Sequence, residues 1–158
     1  MSDEKPDFWT SDEWSTPPHI MEEIAALYPG GFDLDACARD ITAKAPNYFT
    51  LADNAMAQSW YGRVWMNPPY SDPATWLEKA TAEVANGNAE IVVALLPAAT
   101  DTVWWHTYIW DDKNDCPRPG VTVKLRKGRI KFLGWNGRPK GTPKSGSAYV
   151  TFRSVDRV

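Results

Sequence analysis

Two cysteines and two histidines in 158 residues leave little room for sulfur or imidazole chemistry. Cys37 and Cys116 lie far apart, which rules out a disulfide framework and gives no metal-ligand spacing. His19 and His106 add none, so no metal site, zinc included, is expected. Long hydrophobic runs are also missing. The longest, residues 91–99, is too short to cross a bilayer and is broken at Pro97, so no membrane partner is expected. Residues 1–6 are polar and lack the basic and apolar regions of a secretory signal. A reducing cytoplasm is the expected location. No Gly-x-Gly-x-x-Gly loop, internal repeat or domain linker is found.

What is there describes a one-core domain: 43% hydrophobic and 23% charged residues. The net charge of −3 speaks against a polyanion partner, but its distribution does not. Residues 1–112 carry 5 Lys/Arg against 18 Asp/Glu, whereas residues 113–158 carry 12 against 2. The C-terminal third can therefore hold a nucleic acid, unless its cations merely pair with acidic helices in the same fold.

Residues 1–13 read as a flexible acidic arm. Thr16-Pro17-Pro18 reads as a helix start, with Thr16 at the N-cap, and Ile20, Ile24 and Leu27 follow at helical spacing. Residues 32–37 form a short strand tipped by Asp35. Residues 38–60 show little periodicity. Residues 63–66 form a strand running into Asn67-Pro68-Pro69-Tyr70. Asp72-Pro73 opens a second helix carrying Leu77, Ala80 and Val84. Residues 91–96 are unbroken aliphatic, the signature of a strand covered on both faces. Thr100-Asp101 starts a third helix. Strands follow at 121–125, 129–133 and 148–152, with loops at 111–119 and 134–147. Trp65 and Trp76 should be buried, one of Trp104 and Trp105 can flank a site, and Trp14 and Trp135 are candidates to contact a ligand. Alternating helices and strands give an α/β sandwich with a mainly parallel sheet.

Asn67-Pro68-Pro69-Tyr70 carries the chemistry. A planar amine is a poor nucleophile because its lone pair is delocalised into the ring. Acceptors on its two hydrogens favour a tetrahedral nitrogen aimed at a methyl donor. The Asn67 side-chain oxygen and the Pro68 carbonyl are suitable acceptors. The prolines hold them in place, and Tyr70 can stack on a base. As four letters the motif is also an ordinary turn; its place between a strand and a capped helix favours function. Asp35, at a strand tip, suits a ribose hydroxyl or an ammonium, and the small Ala36 and Cys37 permit close approach of a ligand. Asp53 is a candidate acceptor for an adenine amine.

With these residues assembled, the chain resembles the phage-type DNA N6-adenine methyltransferases, the Dam-like family. The likeness runs from about Trp14 to Phe152. It includes Trp14-Ser15-Thr16-Pro17, Phe32-Asp33-Leu34-Asp35-Ala36-Cys37, Asn47-Tyr48-Phe49-Thr50, Asn67-Pro68-Pro69-Tyr70-Ser71, Leu95-Leu96-Pro97-Ala98 and Ser147-Ala148-Tyr149-Val150 in order. It implies a Rossmann-like fold in a single methyltransferase domain over 14–158. It also implies S-adenosylmethionine as cofactor and N6 of adenine in double-stranded DNA as acceptor, in a phage or prophage setting. Asn67, Pro68, Pro69 and Tyr70 would be catalytic. Thr16, Pro17, Asp35, Ala36, Cys37 and Asp53 would hold the cofactor. Lys124, Arg126, Lys127, Arg129, Lys131, Arg138, Lys140 and Lys144 would contact phosphates. The target base would have to leave the duplex. Other acceptors, a planar amine of RNA or a protein glutamine, and a silent DNA-binding phage protein are the alternatives.

Overall fold

The strand at the centre of the molecule explains the rest. In a computed structural model, which describes residues 15–39, 42–134, 137–141 and 143–157, the sheet is built from short pieces around one long strand. The strands are β1 (Leu34–Asp35), β2 (Asn47–Tyr48), β3 (Gly62–Met66), β4 (Ala89–Pro97), β5 (Trp110–Asp111), β6 (Cys116–Pro117), β7 (Val121–Leu125), β8 (Phe132–Leu133), β9 (Pro139–Gly141) and β10 (Ser147–Phe152). Three helices accompany them: α1 (Pro18–Leu27), α2 (Pro73–Ala85) and α3 (Val103–Tyr108). The main sheet has the order β2-β1-β3-β4-β10-β7. Its first four strands are parallel, and β10 then runs antiparallel between β4 and β7.

Side-chain parity along β4 sorts the core into two layers. Val92, Ala94 and Leu96 face the α2 and α3 side, with Leu77, Ala80, Val84 and Trp105 packed on them. Ile91, Val93 and Leu95 face α1, meeting Ile20 and Ile24. Both isoleucines are fully buried, and each contributes about 2 kcal/mol of apolar transfer. A sheet covered on both faces demands the unbroken aliphatic run that β4 supplies.

Several local readings change. The N-cap of α1 is Pro17, not Thr16, and no side chain caps that end. Two consecutive prolines preset the first turn, which frees the Thr16 hydroxyl for a tertiary bond. The third helix starts at Val103, with the Thr102 hydroxyl accepting from the Trp105 amide. The loop over 111–119 contains one arm of the β5–β6 hairpin, and the loop over 134–147 contains β9, which pairs with β8. Regular pairing near 129–133 is confined to Phe132–Leu133. The described residues of the unpatterned stretch 38–60 contain β2 and two short 3-10 turns, 51–53 and 55–57. The expected arm over 1–13, Trp14 and Trp135 lie outside the described residues.

Candidate active site

From β1 the chain moves to β2 on one side; from β3 it moves through α2 to β4 on the other. The connections diverge between β1 and β3, and a crevice must open beyond their carboxyl ends. A cavity of 330 Å³ lies there. Its walls come from the segments that leave the parallel strands: Ala36 to Arg39 after β1, Phe49 to Leu51 and Asn54 to Met56 after β2, and Asn67, Pro69, Asp72, Thr75 and Trp76 after β3. Ser15 closes it from the N-terminal side.

Asn67 is the first residue past β3. Its Nδ2 donates to the Thr16 Oγ1 at 3.0 Å, across fifty-one positions of sequence. Thr16 is buried. Pro68 is buried and Pro69 lines the cavity, so the two rings fix the loop between the strand end and the helix. The Asp72 amide donates to the Pro69 carbonyl at 3.3 Å, and the Asp72 carboxylate caps α2 by accepting from the Thr75 amide at 3.4 Å, and accepts from the Thr75 hydroxyl as well at 3.0 Å. Tyr70 does not line the cavity. Its half-buried ring meets Phe132 edge to face, at 5.9 Å and 87°. Burial pushes its hydroxyl well above the usual phenol range, so it is a neutral group at any working pH.

The residues expected to hold a cofactor separate into two groups. Ala36 and Cys37 line the cavity. Asp35 is buried and turned into its own loop: Oδ1 accepts from the Cys37 amide at 3.2 Å and Oδ2 from the Lys44 amide at 3.0 Å. Burial pushes its carboxyl up to about 6, against the pull of those two amides. Asp35 thus shapes the turn that forms the wall. Asp53 is exposed, and its carboxylate accepts from the Thr50 amide (2.8 Å) and hydroxyl (3.0 Å) in a capping box. It is the neighbouring Asn54, left-handed at φ 53°, that reaches the cavity. Pro17 is buried at the head of α1.

Trp76 was expected to be buried, yet it is half-buried and forms part of the wall, backed by Trp60 at 6.3 Å. Arg39, Phe49, Leu51 and Met56 also line it. Phe49 falls in the Asn47-Tyr48-Phe49-Thr50 motif, though with no role assigned; for the other three the only signal is negative, a stretch with neither helical nor strand period next to an acid-tipped strand. Trp105 is core and Trp104 packs on it at 5.9 Å, away from the cavity. His106 also lies outside, with its Nε2 at 2.6 Å from the Thr100 carbonyl and its Nδ1 on Asp112.

The cationic stretch divides as well. Lys124, Lys127, Arg129, Lys131, Arg138 and Lys144 are exposed. Arg126 is not available in the same way, because it pairs with Glu23 at 3.2 Å, and that carboxylate also accepts from the Tyr149 hydroxyl at 2.8 Å. The side chain of Lys140 lies outside the described residues. Between Arg129 and Lys131, Ile130 is buried beside Phe132 in the α1-side core. Since Phe132 touches Tyr70, this basic segment borders the 67–70 loop.

A model of the family described as DNA N-6-adenine-methyltransferase (Dam) matches residues 5–152. The DNA N-6-adenine-methyltransferase of Haemophilus phage HP1 is 35% identical over 123 residues, covering 77% of this chain and 66% of that protein. The protein of the same description from Escherichia phage T1 is 28% identical over 155 residues, covering 91% and 63%. The chain spans just under two thirds of the length of these relatives. Among solved structures, the 23S rRNA methyltransferase ErmE matches with a TM-score of 0.53 at 11% identity, over 90% of this chain and 70% of that one. That likeness concerns the fold, and it matches the Rossmann-like sheet expected from the sequence.

Proposed function

The chain belongs to the DNA N-6-adenine-methyltransferase (Dam) family, and on that footing we propose that it transfers a methyl group from S-adenosylmethionine to N6 of adenine in double-stranded DNA. One observation carries the reading: Asn67 lines the crevice between β1 and β3, at the point where the topology puts a ligand site. The cavity's size falls within the usual range for small-molecule sites, roughly 300–1,000 Å³. Its lining suits a nucleoside with a zwitterionic tail. Phe49, Leu51, Met56 and Trp76 offer apolar walls, and Arg39 and Asp72 offer one charge of each sign.

When bound, the cofactor supplies a methyl group activated by a sulfonium. The remaining work falls to the protein. Asn67 Oδ1 and the Pro68 carbonyl accept hydrogen bonds from the two N–H groups of the adenine amine, favouring a tetrahedral nitrogen whose lone pair is drawn out of conjugation with the ring. The proline-fixed loop keeps both acceptors in place before the base arrives. Tyr70, held by Phe132, walls the base site as a neutral ring. Lys127, Arg129 and Lys131 border that loop and hold phosphates of the strand from which the base is extruded.

The test is incubation of the protein with unmethylated duplex DNA and methyl-labelled cofactor, followed by nucleoside analysis. N6-methyladenine is the expected product. Label found in RNA or in protein glutamine, with DNA left unlabelled, would overturn the acceptor assignment.

A further inference from the structure

We propose that Thr16 is a positioning residue for methyl transfer, acting on Asn67 and not on the cofactor. This rests on the function proposed above and extends it to a residue outside the 67–70 loop. An asparagine side chain has two ends of nearly equal size and opposite hydrogen-bonding character. Only the oxygen end can serve an amine nucleophile; the NH2 end would confront N–H with N–H. Something must decide which end faces the crevice. The Thr16 hydroxyl oxygen accepts a hydrogen bond from Asn67 Nδ2 at 3.0 Å. In the structure the nitrogen is the end on the Thr16 side, and Oδ1 is the other end of the amide.

Thr16 is well placed to impose this choice. It is 2% exposed, so its hydroxyl oxygen is shielded from water. Its backbone is clamped on both flanks. On one, the Ser15 amide donates to the Leu133 carbonyl at 2.8 Å and the Leu133 amide returns a bond to the Ser15 carbonyl at 2.9 Å. On the other, Pro17 and Pro18 begin α1. The same short strand β8 holds Tyr70 through Phe132. The 67–70 loop is therefore gripped at each end, Asn67 by Thr16 and Tyr70 by Phe132, and both grips are tied to one strand. Thr16 itself does not line the cavity, whereas Ser15 does, which separates positioning from cofactor contact.

Three variants read the idea. Thr16→Val keeps the shape and removes the oxygen. It is expected to lower kcat by about ten- to a hundredfold while the KM for S-adenosylmethionine stays at the wild-type value, since a misplaced catalytic group costs that much. Thr16→Ser keeps the oxygen and should restore most of kcat. Unchanged kcat in Thr16→Val, or a raised KM with kcat intact, would overturn the proposal. Equal loss in Thr16→Ser and Thr16→Val would do so too, because a methyl contact would then be the cause. A measurement on the wild-type chain stands beside these in case the valine variant does not fold. Nuclear magnetic resonance should show one Asn67 side-chain amide proton protected from solvent exchange in the free protein and lost from protection in Thr16→Ala. Rapid exchange of both protons in the wild type counts against it. Failure of the functional reading looks different: the wild type would then leave DNA unmethylated while the amide protection persists.

Discussion

Asn67 and Asp35 are two polar residues at the ends of adjacent parallel strands, and they do different work. Asn67 faces the crevice, so Asn67→Ala should abolish methyl transfer while the thermal shift on adding S-adenosylmethionine persists. Turnover near the wild-type rate would remove Asn67 from the chemistry. Asp35 is a buried acid whose carboxyl sits at about 6, against 3.8 ordinarily. Between those values the folded chain keeps a proton that the unfolded chain has released. The associated stability is fully present below about pH 4 and is lost as pH rises through about 6. Asp35→Asn cannot ionise, and its single oxygen leaves the Cys37 or the Lys44 amide without an acceptor. The wild type should therefore exceed this variant most in acid, and its advantage should shrink toward neutrality. Urea denaturation at a series of pH values checks this, and a constant difference would contradict the assignment.

At the scale of elements, β3 depends on its first residue. Gly62 has φ +64°, and a Cβ there would come within 2.3 Å of the Asp33 carboxylate, which itself accepts from the Arg63 amide at 2.8 Å. Gly62→Ala should cost more than the roughly 1–2 kcal/mol of left-handed strain alone. Gly87 has φ +85° and open space around it, so Gly87→Ala should show the strain without the clash. Equal denaturation midpoints for the two variants would mean that the Asp33 contact is unimportant. The legibility of each element follows from how many residues repeat its signal. The aliphatic run of β4 and the capped, periodic α2 are readable, although β4 extends beyond the expected 91–96 to Ala89–Pro97, and the 67–70 segment falls between β3 and α2 as the sequence places it. β8 and β9 were not, because two- or three-residue strands complete no period. The cavity wall over 49–56 is hard to read for a related reason: two three-residue 3-10 turns, the first closed by a capping box, leave no apolar rhythm. Thr16 was assigned to a helix cap because hydroxyl, proline and helix adjoin in sequence; its true partner lies fifty-one residues away.

For the whole molecule, the charge asymmetry is in part spatial. Lys127, Arg129 and Lys131 sit on the segment that leads into β8 and so toward Tyr70, while Arg126 is engaged by Glu23. DNA affinity measured by fluorescence anisotropy should fall steeply with salt. Each phosphate contact contributes about 0.9 to the slope of log K against log salt concentration. Lys131→Gln should reduce that slope by about one such step. Arg126→Gln should leave the slope in place and lower the thermal stability instead. The opposite pattern would show that the Glu23 pair opens in the complex.

The crevice between β1 and β3 is not owned by any stretch of chain. It is enclosed by pieces drawn from residues 15 to 76, brought together only when four parallel strands and the head of α2 are all in register. Ligand occupancy is thus a property of the finished sheet. An excised N-terminal half would carry every lining residue but lack β4, on which β3 pairs, and should not keep the site; fraying at the narrow β1–β2 edge, two residues wide, should empty it before the broad β4–β10 centre yields.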